Sequence, residues 1–197
     1  NVQLRTDWDI PLGYVLIGAL LIVILLSLLP FIPSGIKGGF FIVIFAFFFV
    51  AVSARITGLI GSSSNPISGM TIATLLATSL VFVLLGWTDE SAKVIVLTVG
   101  GVVCIASAIG GDTSQDLKTG FLVGATPWKQ QIGLMIGVLS SSLFIGLVIL
   151  QLHHTLGIGS NELPAPQATL MSIVIDGVLT AKLPWELILI GISIGVV

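Results

Sequence analysis

The 197-residue sequence has very few charged residues. They make up only 8% of the chain, with 7 Lys and Arg against 9 Asp and Glu, whereas soluble domains carry about 25%. So few charges cannot cover a water-exposed surface, and a mean hydropathy of +1.17 favours an integral membrane protein with α-helical spans. The high hydrophobicity excludes intrinsic disorder. The near balance of charge excludes nucleic-acid binding, which needs a basic face.

Cysteine and histidine are scarce as well. Cys104 is the single cysteine, so the chain cannot form an internal disulfide. Its apolar surroundings indicate a small buried hydrophobic residue. Only two histidines occur, His153 and His154, and we interpret both as residues of a water-exposed loop. One cysteine and two histidines cannot build a metal cluster, so we expect no metal site and no cofactor.

Neither end of the chain resembles that of a complete protein. The sequence starts at Asn1 without the basic segment of a signal peptide, and it stops inside an apolar run. We therefore expect residues 1–197 to form a single transmembrane region that is a piece of a longer protein.

Apolar runs predict an all-α polytopic helical bundle with about six spans, because one span needs ~20 apolar residues. The first five are predicted at 12–29, 38–54, 66–87, 94–111 and 128–150, and the sixth begins near Pro184 and Trp185. An additional short helix is predicted near 166–180, where apolar residues recur on one helical face. It is too short to span, so we expect an amphipathic helix at the interface or a re-entrant helix.

The strongest local pattern is an uncharged segment between the second and third predicted spans. Its glycines and hydroxyl groups predict a helix break near 61–65, and Asn65 is a good N-cap for a helix that restarts at Pro66. At membrane depth, irregular backbone is tolerated only inside the protein or beside a water-filled cavity, and a helix start favours negative charge. We therefore predict a binding site for anionic groups of a substrate; the alternative is a loop that merely links two spans. The predicted binding residues are Gly61, Ser62, Ser63, Ser64, Asn65, Ser68 and Thr71.

Three carboxylates are candidates for ion coupling. Asp112 and Asp116 lie in the most polar segment, 112–120, directly after a span rich in small residues. A carboxylate at a span end can relay protons or hold a cation; the alternative is a solvated loop with ordinary charges. Asp176 lies in the amphipathic stretch, where it either faces the bundle or marks the polar face.

An intramembrane serine hydrolase is a further alternative for the Ser62-Ser63-Ser64 triplet. Such chemistry needs a general base within hydrogen-bond reach of the nucleophile. No histidine lies inside a predicted span, so the sequence offers this alternative little support.

Three segments resemble a known family. ITGLIGSSSNPISGMTI at 56–72 resembles the hallmark segment of the prokaryotic branch of the oligopeptide transporter (OPT) family. SQDLKTGFLVGATP at 114–127 resembles a second family segment, and its Asp-x-Lys-Thr-Gly pattern is similar to that of the yellow-stripe-like metal-chelate transporters. LPAPQATLM at 163–171 is like the family too. The peptide-carrying eukaryotic branch has Asn-Pro-Gly, whereas here Ile67 follows Asn65 and Pro66.

The resemblance implies a proton-driven secondary transporter of oligopeptides or metal chelates, not an enzyme, in a prokaryotic inner membrane. Its implied partners are the lipid bilayer, protons, a small peptide or metal-chelate substrate, and the remaining spans of a longer protein. The resemblance also supports a role for Asp112 and Asp116 without assigning it. The main alternative is a membrane scaffold or assembly subunit that transports nothing.

Overall fold

The computed structural model describes residues 4–29, 32, 34–180, 190–191 and 193–194. Two short 3-10 helices, Arg5–Asp7 and Ser62–Ser64, accompany the α-helices. The α-helices are α1 Leu12–Leu28, α2 Gly35–Ile60, α3 Ile67–Leu84, α4 Glu90–Leu122, α5 Pro127–Leu156 and α6 Pro166–Leu179.

Five helices, α1 to α5, are long and apolar enough to cross a membrane when α1 and α3 are counted together with the 3-10 helices that precede them. The 14 residues of α6 are too few for a crossing, because the hydrocarbon core requires ~20. The predicted all-α membrane bundle, with its helix break and its short additional helix, is confirmed. The predicted start of a sixth span falls on residues 181–189, which lie outside the described residues.

Several predicted helix ends are wrong. The polar segment 112–120, which contains Asp112 and Asp116, is not a loop but belongs to the 33-residue α4. Helix continues there because one face still packs: Gly111 and Gly120 are buried, and the Ser114 hydroxyl donates to the carbonyl of Ala54 at 2.8 Å.

The predicted loop position of the two histidines is also wrong. His153 and His154 lie in the last turn of α5. The helix ends at Leu156, and its C-cap residue Gly157 has a positive φ of 70°, a conformation that glycine adopts without the steric penalty of a Cβ atom.

Helix α4 is the centre of the bundle. Gly38 and Ser53 of α2 approach Val99 and Ser107 of α4 in that order, so α2 and α4 run in the same direction. Helix α3 runs opposite to α4, because Leu75 packs on Gly100 while the earlier residue Asn65 approaches the later residue Gly111. The apolar core lies where these three helices meet: Phe41, Ile42, Leu75, Phe82, Val96, Val99 and Val103.

Helices α1 and α5 lie at the periphery, since neither has a buried residue among those described. Their starts are joined by polar contacts: the Trp128 N–H donates to the Trp8 carbonyl at 3.1 Å, and the Gln131 amide donates to Asp9 at 2.6 Å. Helix α6 packs against α3 and α4 through the fully buried Ile175.

Candidate functional site

The predicted helix break is present between α2 and α3. Helix α2 ends at Ile60, and Gly61 adopts φ +96° while its N–H donates to the Thr57 carbonyl at 2.9 Å. Few residues other than glycine adopt that φ without strain. The 3-10 turn Ser62–Ser64 follows, and the Ser62 N–H donates to Oε1 of Gln115 on α4 at 2.6 Å. The break is thus held against α4 by a side chain from that helix.

Asn65 does not cap α3, contrary to the sequence-based prediction. Pro66 occupies the N-cap position and no side chain bonds to the cap. Instead, the Asn65 amide points inward and donates from Nδ2 to the Ser53 hydroxyl at 2.8 Å. That hydroxyl donates in turn to the Ser107 carbonyl at 2.5 Å. A cap would use the side-chain oxygen Oδ1 as an acceptor, whereas Asn65 is bound to the buried Ser53 through Nδ2, and one chain of hydrogen bonds connects the break to α2 and α4.

We call Ser53, Thr57, Asn65, Ser107 and Gly111 the Asn65 cluster. A Cβ built on Gly111 would lie 2.5 Å from Asn65 Nδ2, 2.7 Å from Ser53 Oγ and 2.9 Å from Thr57 Oγ1. These three polar atoms therefore surround one small point on the face of α4. Only a residue without a side chain fits there.

The Asn65 cluster contains unpaired polar atoms. Thr57 Oγ1, Asn65 Oδ1 and Ser107 Oγ are buried without a hydrogen-bond partner within the described part of the chain. Leaving a buried polar group unpaired costs about 1–3 kcal/mol. Natural proteins keep few such groups, and each calls for an explanation such as function. The cluster is therefore a candidate functional feature.

The Asn65 cluster lies beside the interior of α4 and not beside its end. Helix α4 continues from Gly111 to Leu122, which is roughly 16 Å at about 1.5 Å per residue. In the other direction it extends back to Glu90. Helix α4 therefore extends past the break in both directions along its axis.

The structure divides the predicted substrate-binding residues into two groups. Asn65 and Thr71 turn inward, and the Thr71 hydroxyl donates to the Ile67 carbonyl of its own helix at 2.9 Å. The side chains of Ser62, Ser63, Ser64 and Ser68 are exposed. Gly61 has no side chain and contributes through its backbone conformation at the end of α2.

The three predicted ion-coupling carboxylates do not lie together. Asp112 and Asp116 are exposed on α4, on either side of Gln115, which holds the break. Asp176 pairs with Lys93 near the start of α4, with 2.6 Å between Oδ2 and Nζ. Lys93 and Asp112 are roughly 28 Å apart along α4, at about 1.5 Å per residue. Asp112 and Asp116 therefore lie near the break, whereas Asp176 lies far from it.

Sequence reasoning missed Ser53, Thr57, Ser107 and Gln115. Two of these residues could have been found from the sequence. Ser53 and Thr57 lie four residues apart within an apolar run, so they share one helical face. A recurring hydroxyl on one face of a span indicates a side chain that needs a polar partner elsewhere in the bundle.

A cleft also lies beside the break, between α3 and α6. Its volume is about 100 Å³, and its walls are almost entirely apolar. Two polar side chains contribute to it, one from the first turn of each helix. The lining residues are Ser68, Ile72, Leu75, Gln167, Leu170, Met171 and Val174.

Comparison with known proteins places these features in a family. The family described as OPT oligopeptide transporter protein matches residues 1–197 of the chain. The chain belongs to the OPT family. A relative from Haemophilus influenzae, described as "Putative oligopeptide transporter", is 40% identical over 177 residues, which cover 80% of this chain and 28% of the relative. The chain thus spans about a quarter of the length of that relative. No solved structure matches the chain.

Membership of the OPT family confirms the resemblance predicted from three sequence segments. Both printed descriptions, that of the family and that of the relative, name an oligopeptide transporter. His153 and His154 lie at the end of α5, and within the described part of the chain neither forms a hydrogen bond with the serines of the break.

Proposed function

We propose that the full-length protein is a secondary active transporter that moves oligopeptides or metal chelates across a prokaryotic inner membrane together with protons. The chain forms one transmembrane region of it, completed by the spans of a longer protein. The observation that carries this proposal is the helix break, which is bound to Ser53 of α2 through Asn65 and to the interior of α4 through Gln115. Broken helices at the binding site are a recurring device of secondary transporters.

The exposed hydroxyl groups of the break supply the substrate contacts in this proposal. Ser62, Ser63, Ser64 and Ser68 offer donors on the surface of the break, and a carboxylate of the cargo can accept from them. Hydrogen bonds to a charged group contribute about 1.5–3 kcal/mol each. Gly61, Asn65 and Thr71 act indirectly, since they position the backbone that presents these hydroxyls.

Asp112 and Asp116 are the favoured proton carriers. Both are exposed on α4 beside Gln115, so a change in their charge acts on the helix that holds the break. Asp176 is the weaker candidate, because its carboxylate is already paired with Lys93. Rocking of one group of helices against another around a fixed site would then provide alternating access.

Uptake by the full-length protein in liposomes tests the proposal. An inward proton gradient should drive accumulation of a labelled peptide or metal chelate, and addition of cargo should alkalinise the medium as protons enter with it. Dissipation of the gradient with a protonophore should abolish accumulation. If neither cargo class is taken up under any gradient, the protein is a scaffold or assembly subunit and the proposal is wrong.

A further inference from the structure

We infer that the cleft between α3 and α6 binds one aliphatic side chain of a peptide cargo. This inference rests on the proposed function, because it assigns a specificity pocket beside the hydroxyls of the break. The cleft and the break share Ser68, which lines the cleft and lies one residue into α3.

The size of the cleft decides what it can hold. Its volume of about 100 Å³ exceeds the ~10–15 Å³ that a cavity needs to hold one water molecule and is smaller than the ~150 Å³ apolar cavity that accepts a benzene ring. Pockets for whole ligands measure about 300–1,000 Å³. A valine or leucine side chain fits these limits, whereas an aromatic side chain or an entire peptide does not.

The chemistry of the cleft favours the same occupant. Leu170, Met171 and Val174 form the α6 wall, and Ile72 and Leu75 form the α3 wall. None of these side chains carries a charge or a hydrogen-bonding group. Burial of an aliphatic side chain between them is favourable, because it removes apolar surface from water.

Polar groups at one end of the cleft fit a peptide backbone. Asp176, near the end of α6, pairs with Lys93, near the start of α4. Because α3 runs opposite to α4, the end of α3 also lies near the start of α4. Helices α3 and α6 therefore run in the same direction. The first turns of both helices therefore lie at the same end, and these turns carry Ser68 and Gln167. Both side chains are exposed and offer donors and acceptors to the amide groups that flank an inserted side chain.

A peptide series that varies one residue through Ala, Val, Leu and Phe tests this pocket. Competition for uptake by the full-length protein in liposomes should rank Val and Leu peptides above Ala and Phe peptides. One methylene in an apolar pocket changes selectivity by about tenfold or more. We therefore expect at least a tenfold preference for the best aliphatic residue over Ala.

Two variants change the pocket in opposite directions. Val174→Phe should close it and remove the advantage of Leu over Ala. Leu170→Ala should enlarge it and raise uptake of the Phe peptide about tenfold relative to Leu. Leu170 is 57% exposed, so its truncation leaves the core intact even if the larger substitution at Val174 impairs folding. Ile173, 62% exposed on α6 and outside the cleft, provides the controls Ile173→Phe and Ile173→Ala, which should keep the original ranking.

Other results would overturn the inference. Equal competition by all four peptides in the unmodified protein, or equal shifts of the ranking in the Ile173 and Leu170 variants, would show that the cleft does not select among cargo side chains. Loss of a copurified lipid in Val174→Phe with an unchanged peptide ranking would identify a lipid chain as the occupant. These results overturn the pocket alone, since transport persists in each. Absence of uptake of every peptide and chelate would instead overturn the proposed function together with the pocket.

Discussion

At the scale of single residues, the site depends on a position where a side chain is absent. Gly111 lets Asn65 reach Ser53, because the Nδ2 atom of Asn65 occupies the space that a methyl group would need. Small residues in membrane helices allow close packing of backbones. Here the space admits the polar side chain of Asn65 from the break, so Gly111 determines how deeply the break reaches into the bundle.

Substitution of Gly111 by alanine should destabilise the protein by about 1–3 kcal/mol, the usual cost of overpacking. The new methyl group would come within 3.0 Å of three polar side-chain atoms. Gly101→Ala is the matched control, because Gly101 lies on the same helix and a Cβ atom added to it would meet nothing within 4 Å. That control should be neutral or stabilise by up to ~1 kcal/mol through helix propensity. Thermal denaturation of both variants in detergent measures the difference, and equal melting temperatures would contradict the packing argument.

Ser68 gives a direct test of anion binding. Ser68→Ala removes one exposed hydroxyl and keeps the helix, so affinity for a cargo with free carboxylates should fall about ten- to a hundredfold, since ~1.4 kcal/mol is tenfold. A cargo with amidated carboxylates should lose less. Ser142→Ala on α5, whose hydroxyl donates to the Leu139 carbonyl of its own helix, is the control. Equal losses for both cargoes would show that Ser68 does not contact a carboxylate.

The sequence identified Asn65 as a special residue but assigned it the wrong partner. An Asn before Pro at a helix start is a common capping pattern, and capping depends only on neighbours in the chain. The observed partner, Ser53, belongs to the preceding helix and is presented to Asn65 by the packing of α2 on α4. The rotation of one helix against another is set by all their contacts together, so sequence pattern alone could not predict this pair.

At the scale of elements, the continuation of α4 past Gly111 connects the break to two acidic side chains. Asp112 and Asp116 follow Gly111 on the same helix, with Gln115 between them in contact with Ser62. Any movement of this part of α4 must either carry the break with it or lose that hydrogen bond.

Neutralisation of these acids should separate transport from the proton gradient. In Asp112→Asn or Asp116→Asn, cargo should still bind with nearly unchanged affinity, while accumulation against a gradient is lost because no proton is carried. Counterflow exchange without a proton gradient should persist. Asp176→Asn serves as the comparison, since its partner Lys93 lies at the opposite end of α4. Unchanged pH dependence of uptake in both α4 variants would show that Asp112 and Asp116 are ordinary surface charges.

Helix existence was more predictable than helix extent. Apolar runs located all five long helices, because each run must satisfy its backbone hydrogen bonds within the bilayer. The end of α4 was missed because a cluster of charges suggests a loop, although a helix tolerates charge on any face that does not pack. Gly120 illustrates the point: it is buried beside Gln130, while Lys118 and Thr119, just before it in the chain, lie on less buried faces of the same helix.

At the scale of the whole molecule, the position of the break relative to the membrane is the central prediction. We expect residues 58–68 to lie within membrane depth, because no charge occurs among them and because α4 extends past them in both directions along its axis. Single cysteines introduced at these positions into a Cys104→Ser background can be labelled with a bulky impermeant reagent. Only part of the positions should react, and cargo should protect some of those. Uniform labelling that cargo does not alter would place the segment in open water.

The shortness of α6 has a consequence for biosynthesis. A segment of 14 residues is too short to enter the bilayer as a span by itself, for which ~20 are needed. Its position therefore depends on docking, through Ile175 and the Asp176–Lys93 pair, onto helices already in place. Both docking partners, α3 and α4, precede α6 in the chain and leave the ribosome first. Helix α6 can thus assemble during translation, without waiting for any later segment.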